Sequence, residues 1–467
     1  MDSFPFNKRY IFSISMVSAM GGFLFGYDWV VIGGAKPFYE LFFGITHSPG
    51  LQGWAMSSAL TGCLLGALLS GITSDRYGRK RLLILSAFLF ILSALGTGAA
   101  GGFATFVACR ILGGIGIGLA SNLSPMYIAE VSPAPMRGKF VSLNQLTIVI
   151  GILVAQLVNW QIARPVPESF TVDDILASWN GQTGWRWMFW AETLPAAVFF
   201  LLMFLVPESP RWLAKNSSAM RVKAILARIG GRDYAEVAYG HIRESLISEK
   251  TGPGYRELLH PGLRRVLILG IVLAAFQQWC GINVIFNYAQ EVFAAAGYGV
   301  SDTLFNIVIT GSVNLLFTFV AIYTVDRLGR KALMKMGAAG LAGIYLFLGA
   351  AFFLDIRGWT VLVLVVAAIA CYAMTLAPVT WVVLSEIFPN RVRGAAMAVA
   401  TVSLWLASFL LTYTFPHLNR AFGASGSFWI YGAICVAGFL FIRRRLPETK
   451  GKTLEQIEKE ISDFSPG

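Results

Sequence analysis

Three ionisable side chains fall inside long apolar stretches. Asp28 follows Phe25-Gly26-Tyr27, Arg110 opens the apolar run that continues through Gly114 and Gly118, and Glu192 lies between Trp190 and Pro195. At membrane depth each costs at least about 2.5–3.5 kcal/mol on the most lenient scale. Two readings are open: a structural one, in which Asp28 and Arg110 form a pair or Arg110 and Glu192 reach toward the surface, and a functional one, in which the three make a proton site. A carboxylate in low dielectric gains proton affinity, and a nearby guanidinium takes it away. Changing the Asp28–Arg110 distance would then load or release a proton.

A second group is uncharged. Gln277, Gln278, Asn283 and Asn287 place four amides within eleven residues. An amide donates and accepts at once, which matches the paired capacity of sugar hydroxyls; the alternative is bonding between membrane helices. In an unbroken helix at about 100° per residue, Gln278 and Asn283 point about 140° apart. They converge on one ligand only if the helix bends or breaks, and Gly281 is the expected hinge. Gln145 and Asn314 are lone amides in apolar surroundings. Trp381 and Trp405 offer flat faces for the C–H surface of a sugar ring, or belong to an interfacial belt.

The elements that position these groups follow from composition. Of 467 residues, 56% are apolar and 13% charged, where soluble domains carry roughly 25% charge. Such a chain would leave large apolar patches in water, so a soluble enzyme and a disordered chain are both excluded. Stretches of about 20 apolar residues predict spans near 9–32, 53–73, 82–101, 103–127, 140–163, 185–206, 263–293, 302–325, 332–354, 359–387, 395–416 and 427–445. Lys8 and Arg9 precede the first stretch, which is too long for a signal-peptide core of roughly 7–15 residues. The polar stretch 207–262 has helical patterning.

Twelve spans put both ends of the chain on one side. The connections on that side hold 31 Lys and Arg, against Lys36, Arg164, Arg357 and Arg420 opposite. The positive-inside rule makes the first side cytoplasmic. The net charge of +12 is scattered in short clusters with no extended basic face, so nucleic acid is not an expected partner. The five cysteines lack metal-like or CxxC spacing and read as small buried hydrophobes. Gly451-Lys452-Thr453 resembles the end of a phosphate loop, but Leu446 stands where its first glycine is required, so ATP coupling has no support. No metal site or nucleophile surrounds the four histidines.

The basic-side connections repeat. Asp75-Arg76-Tyr77-Gly78-Arg79-Lys80 returns as Asp326-Arg327-Leu328-Gly329-Arg330-Lys331; Glu130 with Arg137-Gly138 returns as Glu386 with Arg393-Gly394; Pro207-Glu208-Ser209 returns as Pro447-Glu448-Thr449. The offsets are 251, 256 and 240 residues. Three clusters in one order imply two six-span halves of common design. The expected division is 1–206, a helical cytoplasmic linker 207–262, 263–446 and a tail 447–467. The charged residues of these loops can pair and tie span ends together, or serve only topology and solubility.

The DRYGRKR and DRLGRK loops, the ESPRWL and PETKG ends, and the QQWCGIN and RILGGIG spans together resemble the sugar porter family of the major facilitator superfamily, along nearly the whole chain. The resemblance implies an all-α membrane protein of twelve transmembrane helices in two six-helix bundles, with a short intracellular helical segment. It implies a transporter in a bacterial inner membrane, not an enzyme, with a monosaccharide and a proton as partners and no cofactor. Asp28, Arg110 and Glu192 match the proton-coupling positions of proton-coupled members. Phe25, Gln145, Gln277, Gln278, Asn283, Asn314 and Trp381 match sugar-lining positions, with Trp405 close by. Asp75, Arg79, Glu130, Arg137, Glu208, Asp326, Arg330, Glu386 and Arg393 match a cytoplasmic gate. Three positions depart from the pattern: Asn287 stands where Tyr is usual, Leu404 where Asn or Gln is frequent, and Ile152 leaves a site-facing position apolar. Proton symport of a hexose or pentose is the expected function. A facilitative uniporter of the same fold is the alternative, and a nontransporting sugar sensor a more distant one.

Overall fold

A computed structural model of the chain describes residues 4–167, 169–249, 261–388 and 392–449. Among these there is no strand. In lipid every backbone N–H and C=O must bond within its own segment, and the helix is the open-ended structure that does so. The order is α1 (Lys8–Phe42), α2 (Pro49–Tyr77), α3 (Arg79–Ala99), α4 (Phe103–Val131) and α5 (Arg137–Ile162). Next come α6 (Val172–Ala177), α7 (Trp185–Trp190), α8 (Thr193–Leu205), α9 (Pro210–Asn216), α10 (Ala219–Glu249) and α11 (Pro261–Trp279). The remainder are α12 (Ile282–Asn287), α13 (Ala289–Ala295), α14 (Val300–Leu328), α15 (Arg330–Phe353), α16 (Trp359–Met374), α17 (Leu376–Ile387) and α18 (Arg393–Arg445).

Among the described residues, eleven helical segments are long and apolar enough to cross a membrane, and the last is two helices joined across a break. Its 53 residues are interrupted at Gly423, whose φ of 67° is non-helical. Twelve apolar crossings result, as the hydropathy pattern predicts. The tenth is α16 and α17 joined at Thr375 (φ −123°, ψ −84°), with Pro378 in the first turn after the break, where its missing N–H costs little. One boundary differs. The first span, expected to end near Ile32, runs to Phe42, so Lys36 lies inside a helix and not in a loop. Apolar residues continue on both sides of Lys36, and Pro37 does not end the helix.

By contacts the chain forms two compact units. The first comprises Met1–Trp29, Thr61–Ala155 and Phe189–Gly252; the second comprises Val30–Leu60, Gln156–Met188 and Pro253–Gly467. Thus α1, α2, α5 and α7 each contribute to both units, and a further division falls within the linker 207–262.

In the first unit α2 and α4 approach at backbone distance. A Cβ on Gly66 would sit 2.3 Å from the Ile115 carbonyl oxygen, and one on Gly118 would sit 2.3 Å from that of Cys63. Without side chains there, dispersion contacts replace the hydrophobic drive that lipid removes. The linker helix α10 packs Val222, Leu226 and Ile229 against Ile11, Ala19, Ile128 and Phe140 of the same unit. The Asn7 N–H donates to the Ile229 carbonyl at 2.8 Å. In the second unit a Cβ on Gly53 would lie 2.4 Å from the Tyr413 carbonyl oxygen, which seats the start of α2 on α18.

Candidate functional site

The first unit holds a buried ionic site. Asp28 on α1 and Arg110 on α4 are 1% and 2% exposed. Arg110 Nη1 donates to Asp28 Oδ1, and Nη2 donates to the Asp28 carbonyl at 3.2 Å. Gly113, one turn beyond Arg110, permits the approach, because a Cβ there would sit 3.2 Å from Asp28 Oδ2. Glu192 lies at the break between α7 and α8, is 2% exposed, and is within electrostatic reach of both Asp28 and Arg110. The Phe189 ring covers the guanidinium at 5.7 Å. Two carboxyl groups share one guanidinium out of water.

The second unit holds the amides. Helix α11 ends at Trp279, and Gly281 adopts a left-handed conformation (φ 87°, ψ −8°) before α12 begins. The break turns Asn283 back toward Gln278, whose Oε1 accepts from Asn283 Nδ2 at 2.5 Å. Gln278 Nε2 donates to Gln277 Oε1 at 3.4 Å, and Gln277 Nε2 donates to the Ala377 carbonyl of α17 at 3.2 Å. One chain of hydrogen bonds therefore links Gln277, Gln278 and Asn283 with the tenth span. Asn287 and Asn314 are buried, at 5% and 6% exposure. Among the described residues no hydrogen bond joins them to that chain. Trp381 presents 36% of its surface, whereas Trp405 is buried. Phe25 and Gln145 belong to the first unit, both half-buried, with the Phe25 ring edge-on to Trp29 at 6.0 Å.

The repeated loops fold into repeated structures. In the first unit Arg79 bonds Asp75 at 3.2 Å and Glu130 at 3.0 Å, and Ser209 donates to Glu130. Glu208 Oε1 accepts the backbone N–H groups of Arg79 and Lys80, at 3.1 and 3.0 Å. In the second unit Arg330 bonds Glu386 at 3.2 Å, Thr449 donates to Glu386, and Glu448 accepts the N–H groups of Arg330 and Lys331 at 2.9 and 3.2 Å. Glu208 caps the N-terminus of α3 and Glu448 that of α15, where free N–H groups and the helix dipole favour an anion. Gly78 and Gly329 precede those helices with φ of 91° and 87°, and a Cβ on either would strike the capping carboxylate, at 2.3 and 2.9 Å. Burial alone would raise the Asp75 carboxyl, but Lys215, at 3.0 Å, and Arg79 outweigh it and hold the group below its ordinary value.

Residues 14–461 match the family described as sugar (and other) transporter. The chain belongs to that family. Its D-xylose-proton symporter from Escherichia coli (strain K12) is 41% identical over 484 aligned residues, covering 97% of this chain and 96% of the relative. The arabinose-proton symporter of Bacillus subtilis (strain 168) is 38% identical, covering 96% and 95%. The inward open conformation of the xylose transporter XylE from E. coli superposes with a TM-score of 0.84 at 40% identity, over 96% of this chain and 99% of that one. Fold class is thereby settled as that of the major facilitator superfamily.

For this sugar transporter family member, the structure joins Asp28 with Arg110, the three amides with each other, and the loop charges within each unit. It does not join all that the sequence grouped. Among the described residues no ion pair ties Arg137 or Arg393 to either loop network; Arg137 is exposed, and Arg393 donates to the Phe388 carbonyl at 3.2 Å. The side chain of Asp326 lies outside the described residues. One cluster escaped the sequence reading: Lys36 and Glu40 of α1 with Glu291 of α13 and Gln52 of α2. Its sequence signal is the four-residue spacing of Lys36 and Glu40, beyond the end that hydropathy gives the first span.

Proposed function

We propose that this protein is a proton-coupled monosaccharide symporter working by alternating access. Asp28 is the proton carrier, Arg110 its modulator and Glu192 an accessory. The observation that carries the reading is the buried Asp28–Arg110 pair with Glu192 in reach of both. A fully buried ion pair is weak support for stability alone, because desolvation offsets most of its attraction. A group that must change charge in each cycle gives it a purpose. The names of the D-xylose-proton and arabinose-proton relatives support the same assignment.

Phe25 and Gln145 of the first half, and Gln277, Gln278, Asn283, Asn287, Asn314, Trp381 and Trp405 of the second, are assigned to the sugar. The halves 1–206 and 263–446 are taken as the moving bundles, joined by 207–262 and followed by the tail 447–467. Asp75, Arg79, Glu130, Arg137, Glu208, Asp326, Arg330, Glu386 and Arg393 are assigned to the cytoplasmic gate. Both ends of the chain are assigned to the cytoplasm of a bacterium, a sidedness the charge asymmetry supports, with the spans in the lipid of the inner membrane; neither ATP nor nucleic acid takes part.

Asp28→Asn in proteoliposomes tests the core of this reading. Sugar exchange is expected to persist while accumulation under an imposed pH gradient is lost. Accumulation by the variant would refute proton carriage by Asp28. The pairing of Asp28 with Arg110 also supports a second reading, a uniporter in which the pair is a structural lock. That reading predicts no alkalinisation of the medium when sugar is added to deenergised cells.

A further inference from the structure

Helix α12 spans six residues between two interruptions, Gly281 in the left-handed region and Tyr288 at φ −121°, ψ 30°. So short a helix leaves most of its N–H and C=O groups without intrahelical partners and cannot fix its own orientation. It is held from outside. The Tyr288 hydroxyl donates to the Thr412 carbonyl at 2.6 Å. The backbone at Phe286 comes so near Gly33 that a Cβ there would sit 3.2 Å from the Phe286 oxygen. The third anchor is ionic: Lys36 of α1 bonds Glu291 in the first turn of α13.

Lys36 is itself held on several sides. It bonds Glu40 at 2.8 Å, Glu40 accepts from Gln52 Nε2 at 2.8 Å, and the ammonium stands 5.4 Å from the centroid of the Tyr288 ring. Lys36 is 1% and Glu40 5% exposed, whereas Glu291 is half-buried. An ammonium placed between two carboxylates away from water has few equivalent positions, so it fixes direction as well as distance. The cluster belongs neither to the Asp28 site nor to the loop networks.

We propose that Lys36 is a positioning residue for sugar binding. It locks the segment after the Gly281 break to the first span, and so sets the orientation in which Asn283 and Asn287 are presented. The assignment rests on the monosaccharide reading above. Removing the ammonium takes away no amide but lets α12 pivot with Asn283 and Asn287, which weakens sugar binding more than it slows turnover.

The test uses full-length protein in proteoliposomes with labelled D-xylose and labelled arabinose. Lys36→Met is expected to raise the half-saturating sugar concentration roughly tenfold, a decade in binding constant, with the maximal rate within roughly twofold of wild type. The charge swap Lys36→Glu with Glu291→Lys keeps two carboxylates around one ammonium and is expected to recover most of the loss, which a role in packing alone would not allow. Should Lys36→Met fail to fold, Glu291→Gln, which keeps size and hydrogen bonding, supplies the same comparison. Unchanged half-saturation in the folded variant, or no recovery by the swap, overturns the assignment. Wild-type vesicles that transport neither these pentoses nor labelled D-glucose overturn the monosaccharide reading and this assignment with it.

Discussion

Asp28 and Arg110 show how much a single pair can decide. Their side chains meet across 82 residues of sequence, with almost no exposure to solvent. Removing one partner strands the other, and the loss is expected to reach about 3–5 kcal/mol. Arg110→Met should therefore lower thermal stability in detergent, followed by tryptophan fluorescence. The double variant Asp28→Asn with Arg110→Met should recover part of that loss, because no buried carboxylate is left uncompensated. Equal losses in single and double variants would show that the two residues are not coupled. The pair was legible in the sequence because an ionisable residue in an apolar run demands a partner. Lys36 is not legible, since hydropathy ends its span ten residues before the helix does and leaves the residue in a connection, where a charge demands nothing. Its partner Glu291 is 255 residues away.

At the scale of elements, backbone breaks place the chemistry. Gly281 ends α11 in a conformation that costs a residue with a Cβ about 1–3 kcal/mol. A Cβ there would also lie 2.8 Å from Tyr431 Cγ. Gly281→Ala is expected to lose that stability and to abolish sugar binding by moving Asn283 away from Gln278. Gly343→Ala, where a Cβ meets nothing within 4 Å, serves as the control and should fold and transport as wild type. Near-normal transport by Gly281→Ala would show that the break is not what brings the amides together. The sequence signalled this hinge because Gln278 and Asn283 cannot meet on a regular helix. It signalled the capping carboxylates Glu208 and Glu448 only as repeated charges; their bonds to the backbone of α3 and α15 needed coordinates, since a motif carries no information on which atoms a carboxylate accepts from. Ser209 and Thr449 likewise gained their role as donors to Glu130 and Glu386 only in the fold.

For the whole molecule the proposed sidedness is testable without transport. A cysteine introduced at the exposed Asp173, between the fifth and sixth spans, should react with a membrane-impermeant maleimide added to intact cells. One at Arg221 on the linker helix should react only after permeabilisation. The reverse pattern would invert the topology. Orientation is a property of the whole chain, because it follows from the sum of Lys and Arg on each side and not from any one loop.

Span number, the repeated loop clusters and the singling out of Asp28, Arg110 and Glu192 as costly groups were determined by the sequence itself. Each depends on local composition or on spacing along the chain, and a helix in lipid closes its hydrogen bonds within a few residues. Tertiary structure decided the rest. Contacts divide the chain within α1, α2, α5 and α7 as well as within the linker. Arg137 and Arg393 stand outside the networks expected to include them, and Lys36 joins a buried cluster with partners on two other helices. Those outcomes depend on which helix faces come together over hundreds of residues. A hydropathy pattern marks a segment as apolar but does not choose the neighbour it packs against.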